Sequence, residues 1–369
     1  MRVLANGKEK FGRRVVHATL FVLALIVLLS FGTPTFAQYK RTDLVSNQGG
    51  TAVRDPNLVN AWGITRFPFT PFWVSDNGTG VSTLYDGTGQ PQPPPTPLVV
   101  TIPSEAGGAG TPTGIVANGT GAFSVSEGGN SGSAFFIFAN LDGTISGWNP
   151  GVDPTNAVIA VHPSAGTVDG VAPSYTGLAI GSNKDGNFLF AADNSSNRKI
   201  DVFGGDFKLV HFSATAFSDP HIPREFTPYA IHNINGQLWV TYTALNKAQG
   251  GFVDVFDTEG NLVKHFAANG PLHSPWGVVL APPDFGPFSN AILISNNARD
   301  GRINAFDPET GKFLGTLRDA KGQVIVIDQV WGLSFGADGG PNGAHNQLFF
   351  TAGPSNYANG LFGMITLGK

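Results

Sequence analysis

The chain has 369 residues, with 22 Lys and Arg against 26 Asp and Glu, no cysteine, and 13% charged beside 41% hydrophobic residues. That apolar share excludes a disordered chain, the acidic balance argues against nucleic acid and anionic membranes, and the absence of Cys excludes disulfides, thiolate metal sites and a cysteine nucleophile. Gly 49, Pro 26 and Phe 29 beside Met 2 favour strands joined by tight turns, in a fold held by its core alone.

Residues 1–37 read as a signal peptide. Lys8, Lys10, Arg13 and Arg14 form a cationic start, residues 18–31 an apolar run, and Thr35-Phe36-Ala37 a small-x-small cleavage signal. The apolar run is shorter than the roughly 20 residues that span a bilayer, so no membrane attachment is expected after cleavage near Gln38. Export to the periplasm or the exterior follows. Losing a leader with five Arg/Lys and one Glu takes the net charge from -4 to about -8.

From there a phrase returns about every fifty residues, the period of a β-propeller blade. In the first copy, residues 60–65 read as an inner strand, 72–75 as a second, 81–85 as a third and 98–102 as a fourth, with Asp76-Asn77-Gly78 and Asp86-Gly87 as turns. The second copy starts at 112–115, carries an insertion over 119–132, and resumes at 136–138 and 144–148. The third occupies 175–178, 188–192 and 200–203, the fourth 228–231, 238–242 and 252–256. The fifth runs 275–279, 291–295, 302–306 and 313–317, and the sixth 330–333, 348–351 and 360–367. Each third strand ends near an aromatic (Tyr85, Trp148, Phe203, Phe256, Phe306, Phe362) suited to packing between blades. The expected fold is an all-β, six-bladed β-propeller over residues 38–369, a single domain. Residues 39–45 should add the outer strand of the last blade and close the ring.

The loops that start the inner strands, and those joining second to third strands, share one face of a propeller. They place Asn60, Trp62, Thr113, Tyr175, Tyr229, Trp276 and Trp331 around the channel mouth as candidate ligand-binding residues. Rings stack on apolar faces and amides bond hydroxyls, so a small molecule or glycan suits such a mouth. The same residues also suit interblade packing and turn capping.

Acid-base work has candidates in Asp219 and His221, in the loop before the fourth copy with Arg224 and Glu225, and in His273 and Asp328 in later loops. A histidine beside a carboxylate can act as a general base. No HExxH or phosphate-loop pattern occurs. Calcium-dependent lactonases on six-bladed propellers use acids and amides at the starts of several inner strands. Only Asn60 matches here, beside Thr113, Thr176, Pro228, Pro275 and Val330, so no metal and no cofactor is expected.

The phrases at residues 73–85 (WVSDNGTGVSTLY), 142–150 (DGTISGWNP), 252–257 (FVDVFD), 303–308 (INAFDP) and 360–363 (GLFG), in that order, resemble a family of secreted bacterial proteins with NHL-like propeller repeats. The resemblance implies export and a propeller, and no established activity. Three readings stay open: a monomeric module binding a small molecule, glycan or protein on the channel face, a lactonase-like hydrolase or lyase with a His/Asp site there, and an extracellular interaction scaffold.

Overall fold

A computed structural model describes residues 38–246 and 249–368. The leader expected over residues 1–37 lies outside the described residues. Six antiparallel sheets form the blades of a β-propeller. Blade one comprises Ala61–Thr65, Phe72–Asp76, Val81–Tyr85 and Val99–Thr101 from the axis outward. Blade three has Tyr175–Asn183, Gly186–Asp193, Lys199–Gly204 and the two-residue Leu209–Val210. Blade four has Phe226–Ile234, Gln237–Ala244, Phe252–Phe256 and Leu262–Ala268. The insertion in blade two is a hairpin of its own, Ser124–Glu127 with Asn130–Ser133. Among the described residues helix is limited to two single 3-10 turns.

The recurring Gly of the repeat has a steric cause. A Cβ on Gly63 would lie 2.4 Å from the Thr113 carbonyl of blade two, and one on Gly114 would lie 2.4 Å from the Leu178 nitrogen of blade three. Gly177 meets Ala230 of blade four in the same way, Gly277 meets Trp331 of blade six, and Gly332 meets Trp62 of blade one. Around the axis the inner strands lean on their neighbours, and in five of the six blades a residue without a side chain permits that approach, Ala230 taking the place in blade four. Further out the blades diverge, and large side chains fill the gaps. Tyr85 of blade one packs on Phe362 of blade six at 5.3 Å, Trp148 of blade two on Trp73 of blade one at 4.7 Å, and Phe306 of blade five on Phe266 of blade four at 6.1 Å. This is apolar surface that one blade cannot bury alone.

The ring closes through blade six, where Val330–Phe335, Leu348–Ala352 and Leu361–Leu367 are completed by Tyr39–Ser46 from the start of the domain. Tyr39 pairs with Leu367 and Ser46 with Leu361, and a bulge at Leu44 separates the Asp43 and Val45 pairings. Tyr39 is buried, and its hydroxyl donates to the Phe285 carbonyl at 2.8 Å. Val53–Arg54 adds a short parallel strand outside it.

Candidate functional site

The residue just before each inner-strand Gly (or Ala230) is Trp62, Thr113, Thr176, Tyr229, Trp276 or Trp331, and the four aromatic ones cluster at the axis. Three indoles from blades one, five and six meet in the channel. Trp62 stacks on Trp331 at 3.6 Å, and Trp276 stands edge-on to both at 6.3 and 5.9 Å. Trp276 spans the channel, its Nε1 donating to the Thr176 carbonyl at 3.0 Å, while Trp331 donates to Asn60 Oδ1 at 3.1 Å. The tryptophans therefore plug the channel rather than rim an opening, which corrects the expectation of exposed stacking rings.

Other expected mouth residues are also buried and bonded within the protein. Asn60 is buried, accepting from Trp331 and donating to Asn77 Oδ1 at 3.0 Å. Thr113 is buried, its hydroxyl bonded to the Ala139 and Tyr175 carbonyls. Tyr175 precedes Thr176, so strand alternation turns it away from the axis into the layer between blades two and three. There it is buried, and its hydroxyl donates to Asp201 at 2.8 Å. Asp201 is in turn paired with Lys199. Tyr229 does reach the mouth, half-buried, with its hydroxyl donating to Asn297 Oδ1 at 3.3 Å. Burial pushes that hydroxyl well above its ordinary pKa and keeps it a neutral donor.

Above the plug lies a residue that the sequence reading missed. Tyr357, 37% exposed, has its ring 5.7 Å from that of Trp331, and its hydroxyl donates to the same Asn297 Oδ1 at 2.9 Å. Ser355, Asn356 and Tyr357 hold φ of 59°, 59° and 68°, three successive non-glycine residues in the left-handed region, a conformation that stores backbone strain. The turn is held by Asp328, whose Oδ2 accepts from the Ser355 amide at 2.8 Å, and by Gln329, whose Oε1 accepts from the Tyr357 amide at 3.1 Å. Asp328 Oδ1 is buried and has no hydrogen-bond partner among the described residues. Asp328 lines a recess of about 420 Å³ together with Arg299, Ser355 and Asn356. Arg299 is exposed and makes no hydrogen bond or ion pair among the described residues.

Asp219 and His221 come together as expected, with His221 Nδ1 2.8 Å from Asp219 Oδ1. His273 is not among their partners, and Asp328 belongs to the recess just described. Instead, His265 on the outer strand of blade four lies with its Nδ1 2.8 Å from Asp219 Oδ2 and 2.8 Å from Asp254 Oδ1. Both carboxylates have fully buried side chains. Burial would raise Asp219, but hydrogen bonds from the His221 backbone, the His221 ring and His265 outweigh it and hold the group below the usual carboxylate range. Asp254 is pushed up to about 7 by burial and by the charge of Asp219, with His265 opposing. Sequence held one signal of this: Phe252, Asp254 and Phe256 share a strand face, so Asp254 interrupts an otherwise apolar interblade side.

No protein-family model matches this chain. Two uncharacterised proteins of Acanthamoeba polyphaga mimivirus do: one is 32% identical over 343 residues, covering 89% of this chain and 80% of the viral one, and another is 31% identical over 345 residues, covering 89% and 86%. Among solved structures, a streptogramin B lyase aligns with a TM-score of 0.52 at 14% identity, covering 89% of this chain and 97% of the lyase. Virginiamycin B lyase from Staphylococcus aureus aligns at 0.51 and 14% identity, over 90% of this chain and 100% of the lyase. At such identities the likeness is one of fold. By sequence, the chain belongs to the same family as these mimivirus proteins.

Proposed function

We propose that the chain is an exported, monomeric binding propeller that takes a small, hydroxyl-rich polar molecule, such as the end of a glycan, on its channel face. The observation that carries this reading is the recess beside the plug. Among the described residues a buried carboxylate oxygen of Asp328 lacks a partner beside it and the Arg299 guanidinium has none, and a strained turn presents Tyr357 next to them. Hydroxyls can donate to the first and accept from the second while an apolar sugar face lies on the ring, the division of labour common in small-molecule sites. The test is a glycan array and metabolite screen followed by calorimetric titration of each hit. Arg299→Ala, Asp328→Asn and Tyr357→Ala should each weaken binding by about tenfold or more, in line with lost charged hydrogen bonds and an aromatic contact. Hits whose affinity ignores all three substitutions would refute the site.

A second reading, hydrolysis or elimination, is favoured by the hydrogen bond from His221 to Asp219, since the His221 side chain is 74% exposed and its other ring nitrogen is available as a base. Turnover of a lactone or glycan that His221→Ala abolishes would establish it. That cluster lies at blade four and the recess at blades five and six, so the two readings are tested by different substitutions.

A further inference from the structure

We propose that Asp219, Asp254 and His265 form a binding site for a divalent transition-metal ion of the zinc or manganese class, tying the loop before blade four to the outer half of that blade. The three donors come from separate segments: Asp219 from the loop, Asp254 from Phe252–Phe256 and His265 from Leu262–Ala268. One ligand atom from each lies within 4.8 Å of the others, and His265 Nδ1 is 2.8 Å from an oxygen of both carboxylates. Neighbouring ligands placed about 2.1 Å from an octahedral ion stand about 3 Å apart, which these spacings approach.

Two further observations point to a cation. A single ring nitrogen carries at most one proton, so it can fully satisfy only one of two buried carboxylates. Among the described residues neither is paired with Lys or Arg: Arg198 bonds the Phe226 and Pro223 carbonyls, and Lys199 is paired with Asp201. The other oxygen of Asp254, Oδ2, is buried and has no cationic partner among the described residues, with only the neutral Tyr242 hydroxyl close to this carboxyl. Two buried carboxylates side by side are costly unless one keeps its proton or a positive charge sits between them, and a bound cation supplies that charge. His221 bonds the far oxygen of Asp219, as outer partners do when they orient a ligating carboxylate. A recess of about 230 Å³, lined in part by Asp219, Tyr242 and Arg198, leads to the cluster and leaves room for a water or a fourth ligand. One imidazole and two carboxylates suit zinc or manganese better than calcium, which takes six to eight oxygens.

The experiment uses the untagged full chain, stripped with chelator and titrated with Zn2+, Mn2+ and Ca2+. Metal content, calorimetry and the visible absorption of a Co2+ substitute are read together with the melting temperature. Expected are one Zn2+ or Mn2+ per chain, a melting temperature raised by the ion, and affinity lowered by about a hundredfold or more in His265→Gln and Asp254→Asn. His221→Ala should lower it by about tenfold, and Asp328→Asn should leave it unchanged. Far-ultraviolet dichroism confirms that each variant is folded; His265→Gln, near the surface, decides the matter if Asp254→Asn fails to fold. No retained ion in folded protein, or an ion whose affinity survives His265→Gln, would overturn the proposal.

Discussion

The indole of Trp276 in blade five donates across the channel to the carbonyl of Thr176 in blade three, 100 residues away in sequence, at 3.0 Å. Trp62 contributes similar bulk to the same plug, yet its Nε1 is buried with no partner among the described residues. Trp276→Phe should therefore cost more stability than Trp62→Phe, by about 1 kcal/mol, the net value of one buried hydrogen bond. Either residue changed to Ala should cost about 3 to 5 kcal/mol through the cavity left behind. Urea unfolding measures both, and equal losses for the two Phe variants would contradict the bridging role of Trp276.

The axial glycines predict a second stability effect. Gly63→Ala places a methyl group 2.4 Å from a backbone oxygen of the neighbouring blade, which cannot move without shifting its strand. A loss on the order of 1 to 3 kcal/mol is expected, as for other overpacked sites. Gly121→Ala, where an added Cβ meets nothing within 4 Å, is the control and should be nearly neutral.

Deleting Tyr39–Ser46 removes the outer strand of blade six and exposes the paired edge of Leu361–Leu367. A marked fall in melting temperature and a gain in aggregation are expected from scanning calorimetry and light scattering. Tyr39→Phe should cost only about 1 kcal/mol, the value of its hydrogen bond to Phe285. An unchanged melting temperature in the deletion would show that closure contributes nothing.

His232 lies beside Trp276, its Nε2 2.9 Å from the Trp276 carbonyl, and burial lowers its pKa to about 4. The unfolded chain takes up this proton near pH 6.5 and the folded one only near 4. The unfolded state thus binds more protons between those values. Stability from this residue is complete above pH 6.5 and falls as pH drops, by about 3 kcal/mol at pH 4. Denaturant titrations at pH 7, 5.5 and 4.5 should show a shallower decline for His232→Gln than for the wild type. Parallel curves would exclude the residue as a source of acid sensitivity.

Local sequence determined the blades, because turns and alternation act over a few residues: Asp76-Asn77-Gly78 and Asp86-Gly87 specify hairpins, and a Gly returning in five of the six blades, with Ala230 in the other, reports a close approach repeated around one axis. The same alternation, counted from that Gly, would have separated Tyr175, which faces blade two, from Thr176, which faces the channel. What the ring alone decided was which distant residues meet. Trp62, Trp276 and Trp331 look alike in sequence whether they rim a pocket or fill a channel, and only the closed ring, which packs the three indoles together and brings the Thr176 carbonyl within reach of Trp276, makes them a plug. Asp219 finds His265 and Asp254 because a loop folds over the outer strands of a blade, a contact spanning 46 residues that no local pattern encodes. The recess at Arg299 and Asp328 arises likewise from two blades placed side by side, so its chemistry belongs to the assembled ring rather than to any one repeat.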